Sequence, residues 1–323
     1  MTHAIRLHSH GGPEVLAWEE IELPPPATGE ARIRHTAIGL NFLDIYHRTG
    51  LYPNAVPHGI GSEGAGVVED VAPDVSELKR GDRVAYAGGP PGSYAERRNI
   101  PAHRLVKLPD AIDDRTAAAM MLKGMTAEYL LRRTYRVQPG DTVLIHAAAG
   151  GVGLILCQWA KYLDATVIGT VGSDDKARLA RDNGCDHPIV YTRENFRERV
   201  AALTNGKGVA AVYDSIGKDT FADSLACLRP LGTMVLFGQS SGVVPPFDIG
   251  LLSAKSLFLT RPTLNTYTAH RPDLLAIAHD LFDAVAGGAV KIQVNQTYAL
   301  KDAAQAHRDL EGRKTTGSTL LLP

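Results

Sequence analysis

Cysteine is scarce in this chain: three in 323 residues, Cys157, Cys185 and Cys227, with no Cys-x-x-Cys pair. An odd and dispersed set argues against a disulfide framework and against a four-cysteine zinc lobe. Long apolar runs are also missing. No window reaches the ~18 apolar residues of a membrane span, and the first twenty residues carry His, Arg, Glu and Pro where a signal peptide needs an unbroken apolar stretch. Membrane insertion is not expected, and the reducing cytoplasm is the simplest location. Neither sign of charge is in excess, since 34 Lys and Arg face 35 Asp and Glu for a net charge of −1. Without a global positive field or a clustered basic stripe, nucleic acid is a poor candidate partner. With 44% hydrophobic and 21% charged residues, the chain reads as globular, and its length suggests about two domains.

Gly 32 and Pro 19 make the chain rich in turns. Short strands separated by turn signals are expected at 4–7, 30–37, 64–71, 83–87 and 105–107, an irregular β region. After an expected helix over 115–133 the rhythm changes. Apolar, β-branched runs at 142–146, 166–170, 189–191, 209–213, 233–237 and 256–260 alternate with helical segments. Six such units predict a doubly wound parallel sheet. The remainder, a helix over 271–287 and strands at 296–298 and 318–322, is too small for a third domain and is expected to return to the first.

The strongest local signal follows the first of those runs. Ala147-Ala148-Ala149-Gly150-Gly151-Val152-Gly153 reads, from Ala148, as a dinucleotide fingerprint whose first glycine is alanine. Gly150 would let backbone approach a pyrophosphate at a helix N-terminus, and Gly153 would let helix and strand pack closely. A merely tight strand-to-helix turn is the plain alternative. About 20 residues on, where an NAD site places a carboxylate for the ribose 2′-hydroxyl, stands Gly169-Thr170-Val171-Gly172-Ser173. No acid occupies the tip. A 2′-phosphate there would meet Ser173, Lys176 and the hydroxyl of Tyr191, which favours NADPH. Asp174 and Asp175 stand against this unless they serve only to cap the helix they begin.

Blocks spread over the chain then add a resemblance. Gly11 to Leu16, Asn41-Phe42-Leu43-Asp44, Gly50-Leu51-Tyr52-Pro53, Gly61 to Gly66, His146 to Gly153, Tyr213 to Gly217 and Phe237 to Gly242 resemble the zinc-free quinone oxidoreductase (zeta-crystallin-like) branch of the medium-chain dehydrogenase/reductase superfamily. Its bacterial NADPH:quinone oxidoreductases look closest. The resemblance implies an α/β chain: a GroES-like β-rich catalytic domain of residues 1–122 and 262–323, and a six-stranded Rossmann domain of residues 123–261 that binds NADPH. The zinc alcohol dehydrogenases of the superfamily carry a Cys ligand near Asn41 and Gly-His-Glu where this chain has Gly61-Ser62-Glu63. Neither Asn nor Ser is a usual zinc ligand, so no metal is expected.

The implied activity is metal-free hydride transfer from NADPH to a quinone. Reduction of activated alkenes such as enones, and an NADPH-stabilised RNA-binding or structural protein, are the alternatives. Asn41 would position the cofactor, with Tyr46 and Tyr52 lining the quinone slot, as proton donors or only as anchors. Cofactor contacts are implied at Ala149, Gly150, Gly151, Val152, Thr170, Gly172, Ser173, Lys176, Tyr191, Ser215, Phe237, Gly238, Ser240, Thr260 and Arg261. Thr126 and Tyr129, one helical turn apart, either reach the cofactor or pack. Lys123 is expected to pair with Glu63 in the interior rather than to touch substrate, and His146 to be a satisfied core histidine rather than a catalytic base, while Asp214 and Ser215 lie on the ligand edge of the sheet, where Asp often only ties a turn. Arg313 and Lys314 either fold back on the 2′-phosphate or are solvated. The last strand, 256–260, would be an exposed apolar edge unless a homodimer pairs it with its two-fold mate.

Overall fold

The computed structural model describes residues 1–323. They pack as two compact units, Met1–Met125 with Tyr267–Ala286 and Ile292–Pro323, and Thr126–Thr266 with Gly287–Lys291. Where breaks at 122/123 and 261/262 are expected, the packing divides at 125/126 and 266/267. The segment Gly287–Lys291 belongs to the second unit, where the Gln158 amide donates to the Lys291 carbonyl at 3.0 Å and accepts its N–H at 2.8 Å.

In the second unit six parallel strands lie in the order His187–Val190, Thr166–Val171, Thr142–Ile145, Val209–Asp214, Leu228–Leu236, Phe258–Thr260. Val209–Asp214 is buried at every position, as a central strand covered on both faces must be. Leu144, Ile168, Val212 and Met234 fill a common core. Strand order reverses beside Thr142–Ile145, so the C-terminal ends of that strand and of Val209–Asp214 flank the point where such sheets take ligands.

The first unit is built around the long strand Glu30–Leu40, which pairs with Glu63–Val71, Arg97–Pro101 and, antiparallel, with the C-terminal strand Ser318–Leu322. The end of the chain does return to the first sheet. Strands Leu16–Ile21, His58–Gly59 and Arg97–Pro101 and helix Ala303–Glu311 are additional to those expected. The chain after Asn41 forms a further helix, Phe42–Thr49. Asp44 Oδ2 accepts the Asn41 N–H at 2.9 Å, and Gly50 ends the helix at a left-handed φ of 79°. The helix expected over 115–133 is Asp114–Tyr129, continued by a π turn over Leu130–Thr134. The last parallel strand shortens to Phe258–Thr260 because Ser256 adopts a left-handed φ of 50°. No helix is long and apolar enough to cross a membrane.

Candidate functional site

The glycine turn lies at the reversal point. Strand Thr142–Ile145 passes through His146 and a left-handed Ala147 (φ 52°) into helix Gly151–Tyr162, with extended Gly150 as N-cap. A Cβ on Gly153 would sit 2.2 Å from the Ala147 carbonyl oxygen and 2.8 Å from Ala148 Cα, so helix and turn touch there through backbone. A Cβ on Gly150 would meet only the Ala147 carbonyl, at 3.2 Å. The protein itself therefore enforces glycine at 153, while at 150 a Cβ would press on one backbone oxygen only. The first intrahelical bond is Leu154 N–H to the Gly150 carbonyl, at 2.9 Å. The N–H groups of Gly151, Val152 and Gly153 precede it in the first turn, where an anion is favoured. Ala149 is buried at the turn.

The end of the second strand gathers Gly172, Ser173, Lys176 and Tyr191. Ser173 caps helix Asp174–Asp182, its Oγ accepting the Lys176 N–H at 3.3 Å, which leaves the hydroxyl proton available. A Cβ on Gly172 would lie 2.9 Å from the Tyr191 hydroxyl, so glycine lets that hydroxyl close over the strand tip. The two acids are not the cap, which corrects the expectation for them. Asp174 forms a two-pronged pair with Arg193, at 2.7 and 2.5 Å, and Asp175 pairs with Arg178. The Arg193 bond holds the Asp174 carboxyl below its usual range. Arg193 was not a candidate from sequence, since it stands 19 residues away on the far side of a strand.

Other candidates divide. The Thr170 side chain is buried and its Oγ1 bonds His146 Nδ1 at 2.9 Å, while its carbonyl accepts the Ala148 N–H at 3.0 Å. This hydroxyl is engaged by His146 in the interior of the second unit. His146 also bonds Ser224 Oγ through Nε2 at 2.9 Å, and burial lowers its pKa; it is the core histidine expected. Asp214 ties the Ile216 and Gly217 N–H groups at 2.7 and 3.0 Å. A Cβ on Gly238 would reach the Ser215 carbonyl at 2.6 Å, so glycine lets the turn at Ser215 and the segment of Phe237 and Ser240 meet, with Ser240 N–H on the Ser215 carbonyl at 3.1 Å. Thr260 ends the edge strand, and the next residue, Arg261, donates to the Leu236 carbonyl at 3.1 Å. Thr126 and Tyr129 are buried, with Tyr129 2% exposed. Arg313 is exposed at a left-handed φ of 56°, and Lys314 pairs with Asp309 at 3.3 Å.

In the first unit, helix Phe42–Thr49 presents an aromatic corner. The Tyr46 ring lies 5.4 Å from that of Phe42 and 5.1 Å from that of Tyr52, and the Tyr52 N–H bonds the Tyr46 carbonyl at 3.1 Å. At the helix start the Asn41 amide donates to Glu63 at 2.7 Å, and Lys123 pairs with the same carboxylate at 2.9 Å, as expected for an interior pair. A second buried chain was not foreseen. Arginine only donates, so the 3.0 Å bond from Arg48 Nη1 to His307 Nδ1 leaves the imidazole proton on Nε2, 3.1 Å from the Tyr94 hydroxyl. That hydroxyl in turn donates to Asp44 Oδ2 at 3.0 Å. Burial and the Arg48 charge lower the His307 pKa to about 3, keeping it neutral.

Asp44 Oδ1 is buried without a partner, and burial pushes its carboxyl up to about 7, against the opposing bonds from Asn41 and Tyr94. A folded-state pKa above the unfolded value means that this group's stability contribution is complete below pH ~4 and is lost as pH rises through about 7. Asp44→Asn removes that loss. Its stability relative to the native protein is therefore expected to improve between pH 5 and pH 8 by on the order of 2 kcal/mol. Thermal unfolding at the two pH values checks this, and parallel profiles would contradict it.

Comparisons with known proteins place these features in a lineage. Residues 27–110 match the family described as alcohol dehydrogenase GroES-like domain, and residues 151–281 the family described as zinc-binding dehydrogenase. A quinone oxidoreductase of Pseudomonas aeruginosa is 51% identical over the full length of both chains. The chain belongs to the quinone oxidoreductase family of medium-chain dehydrogenases/reductases. Within it, a 2-haloacrylate reductase from Burkholderia is 47% identical over 100% of this chain and 99% of its own. The crystal structure of Escherichia coli quinone oxidoreductase complexed with NADPH superposes with a TM-score of 0.97 at 48% identity, covering 99% of this chain and 100% of that one.

One matched description names zinc, and the donors here do not suit it. At Asn41 the side-chain nitrogen is a donor engaged by Glu63, Ser62 is a neutral hydroxyl, and no three His, Cys, Asp or Glu side chains are grouped to hold a metal ion.

Proposed function

We propose that this protein reduces quinones with NADPH, by direct hydride transfer and without a metal. The observation that carries the cofactor choice is the second strand's end, where Ser173, Lys176 and Tyr191 gather and both nearby acids are engaged by arginines. The turn from Ala149 to Gly153 takes the pyrophosphate, with Gly172, Ser215, Phe237, Gly238, Ser240, Thr260 and Arg261 along the same sheet edge as further contacts. Arg313 adds a charge toward the 2′-phosphate. NADPH, when bound, supplies a hydride to an acceptor that is already strongly electrophilic. Asn41 orients the nicotinamide end, and Tyr46 and Tyr52 form an aromatic wall for the quinone, whose oxygen takes a proton from a tyrosine hydroxyl or water. In this reading the first unit, Met1–Met125 with Tyr267–Ala286 and Ile292–Pro323, is the catalytic domain and the second, Thr126–Thr266 with Gly287–Lys291, the NADPH domain.

A second reading has its own support in the 2-haloacrylate reductase relative, whose name denotes reduction of an activated alkene. Initial rates of NADPH oxidation with benzoquinone, a naphthoquinone, an enone and 2-chloroacrylate side by side separate the two. Quinones are expected to give the higher kcat/KM. A higher value for the alkenes would replace the first reading with the second.

Two coarser features belong to the same proposal. Three buried free thiols suit the reducing cytoplasm. The edge strand Phe258–Thr260 serves as a homodimer seam, since Phe258 is 60% exposed and Ile249 and Leu251, in the segment before it, are 76% and 62% exposed. Leu259 packs against the core, so Phe258→Lys is the informative change. It is expected to shift a dimer toward monomer in light scattering at micromolar concentration. A native protein that is already monomeric there would refute the seam.

A further inference from the structure

The first unit holds a buried ion pair to which the proposed reaction assigns no work. Glu63 Oε2 receives Lys123 Nζ at 2.9 Å and Asn41 Nδ2 at 2.7 Å, while Oε1 receives the Leu122 N–H at 2.7 Å. Glu63 is 0% exposed, and Asn41 and Lys123 are each 5% exposed. Stability alone does not call for such a pair, because replacing a buried ion pair by apolar groups is often neutral or favourable. Yet the fold is shaped around it: a Cβ on Gly39 would lie 2.2 Å from Glu63 Oε2 and 2.3 Å from the Ala118 carbonyl.

The consequence falls on Asn41. A carboxylate only accepts hydrogen bonds, whereas an amide has a donor end and an acceptor end. Facing Glu63, the Asn41 side chain must present Nδ2, whose second hydrogen leans toward the Gly39 carbonyl at 3.4 Å. Oδ1 faces the Asp44 N–H in the capping box of helix Phe42–Thr49, and its second lone pair keeps accepting capacity. Lys123 Nζ on Oε2 and the Leu122 N–H on Oε1 are donors as well, so both oxygens of Glu63 are held as acceptors and the polarity of the contact with Asn41 follows from them.

We infer that the Glu63–Lys123 pair is a positioning device that locks the polarity of the Asn41 amide, so that this position offers a hydrogen-bond acceptor and selects a donor on its ligand, a ribose hydroxyl or a carboxamide N–H. The inference rests on the reading of Asn41 as the residue at the nicotinamide end. Glu63 and Lys123 act through Asn41 and touch no ligand.

An exchange of donor and acceptor across the contact tests it. In Glu63→Gln one oxygen is left for three donors, the Leu122 N–H on one side and Lys123 Nζ and Asn41 Nδ2 on the other, so the acceptor that held the Asn41 amide is no longer secured and the amide is free to invert. NADPH affinity is expected to fall about tenfold. Asn41→Asp sets two carboxylates face to face and is expected to lose at least as much. In the combined variant Asn41→Asp/Glu63→Gln, the oxygen of residue 63 keeps the Leu122 N–H and its NH2 donates to residue 41, whose carboxylate also takes over Lys123 Nζ from the shared Oε2 site and still offers an oxygen to the ligand. NADPH affinity is expected to return to within about threefold of native.

Adenosine 2′,5′-bisphosphate, which lacks the nicotinamide half, should bind all four proteins alike in calorimetry. Additive losses without recovery, unchanged single variants, or parallel weakening of the bisphosphate would overturn the inference. Should a single variant not fold, the native and combined proteins still decide the matter, with recovery expected and a loss of about tenfold contradicting it. Failure of the native protein to bind NADPH would instead contradict the proposed function.

Discussion

Lys176→Ala is expected to raise the KM for NADPH roughly thirtyfold and to leave that for NADH nearly unchanged. A charge-assisted contact of about 2 kcal/mol corresponds to that factor at 1.4 kcal/mol per tenfold. The lysine follows the strand tip by three residues and its backbone N–H already binds the Ser173 cap, so the substitution keeps the helix start. Tyr191→Phe should cost less, because it removes a neutral donor and retains the ring beside Gly172. The NADPH penalty should shrink in high salt, modestly, as screening weakens a partly buried contact only in part. Equal weakening of both cofactors would make Lys176 a solvated helix charge and pass specificity to Arg313.

The second large effect concerns the glycine turn. Gly153→Ala drives a Cβ into the Ala147 carbonyl and Ala148 Cα, both of which are backbone. Relief requires helix Gly151–Tyr162 to move away from the turn, at a cost of about 1–3 kcal/mol. Displacing the first-turn N–H groups by ~1 Å is expected to weaken NADPH binding on the order of a hundredfold. Gly150→Ala serves as the contrast. Its Cβ meets a single protein atom at 3.2 Å, so the melting temperature should stay close to native while the methyl group occupies the approach to the pyrophosphate. Melting curves and NADPH titrations of the two variants should therefore dissociate, stability falling only at 153. Native-like binding by both would remove the turn from the cofactor site.

The centre of the parallel sheet was legible because Thr142–Ile145, Thr166–Val171 and Val209–Asp214 are short runs rich in β-branched residues and buried almost throughout, a pattern that survives without knowledge of neighbours. The C-terminal strand Ser318–Leu322 was legible as a short apolar run, buried from Ser318 to Leu321. Arg97–Pro101 was not, since two arginines and an asparagine line a strand that pairs along Glu30–Leu40, with Arg97 on Glu69 and Arg98 buried on the Pro90 carbonyl and the Tyr86 hydroxyl. Helix Phe42–Thr49 carried readable signals, Asn at its cap, Asp three residues on and Gly at its end, but it lies in a segment read only through its resemblance. The Lys123–Glu63 pair was expected, while the chain from Arg48 through His307 and Tyr94 to Asp44 was not. Its members are up to 263 residues apart, counting Glu311, the carboxylate partner of Arg48. Such contacts are created by the packing of the returning C-terminal segment and have no local signature.

The most direct measurement is the initial rate of NADPH oxidation by the purified protein with benzoquinone as acceptor, with NADH run in parallel. Saturable turnover is expected, with kcat/KM for NADPH roughly thirtyfold or more above that for NADH, the factor assigned to the 2′-phosphate contacts. No turnover above the uncatalysed rate, or equal use of the two cofactors, would contradict it.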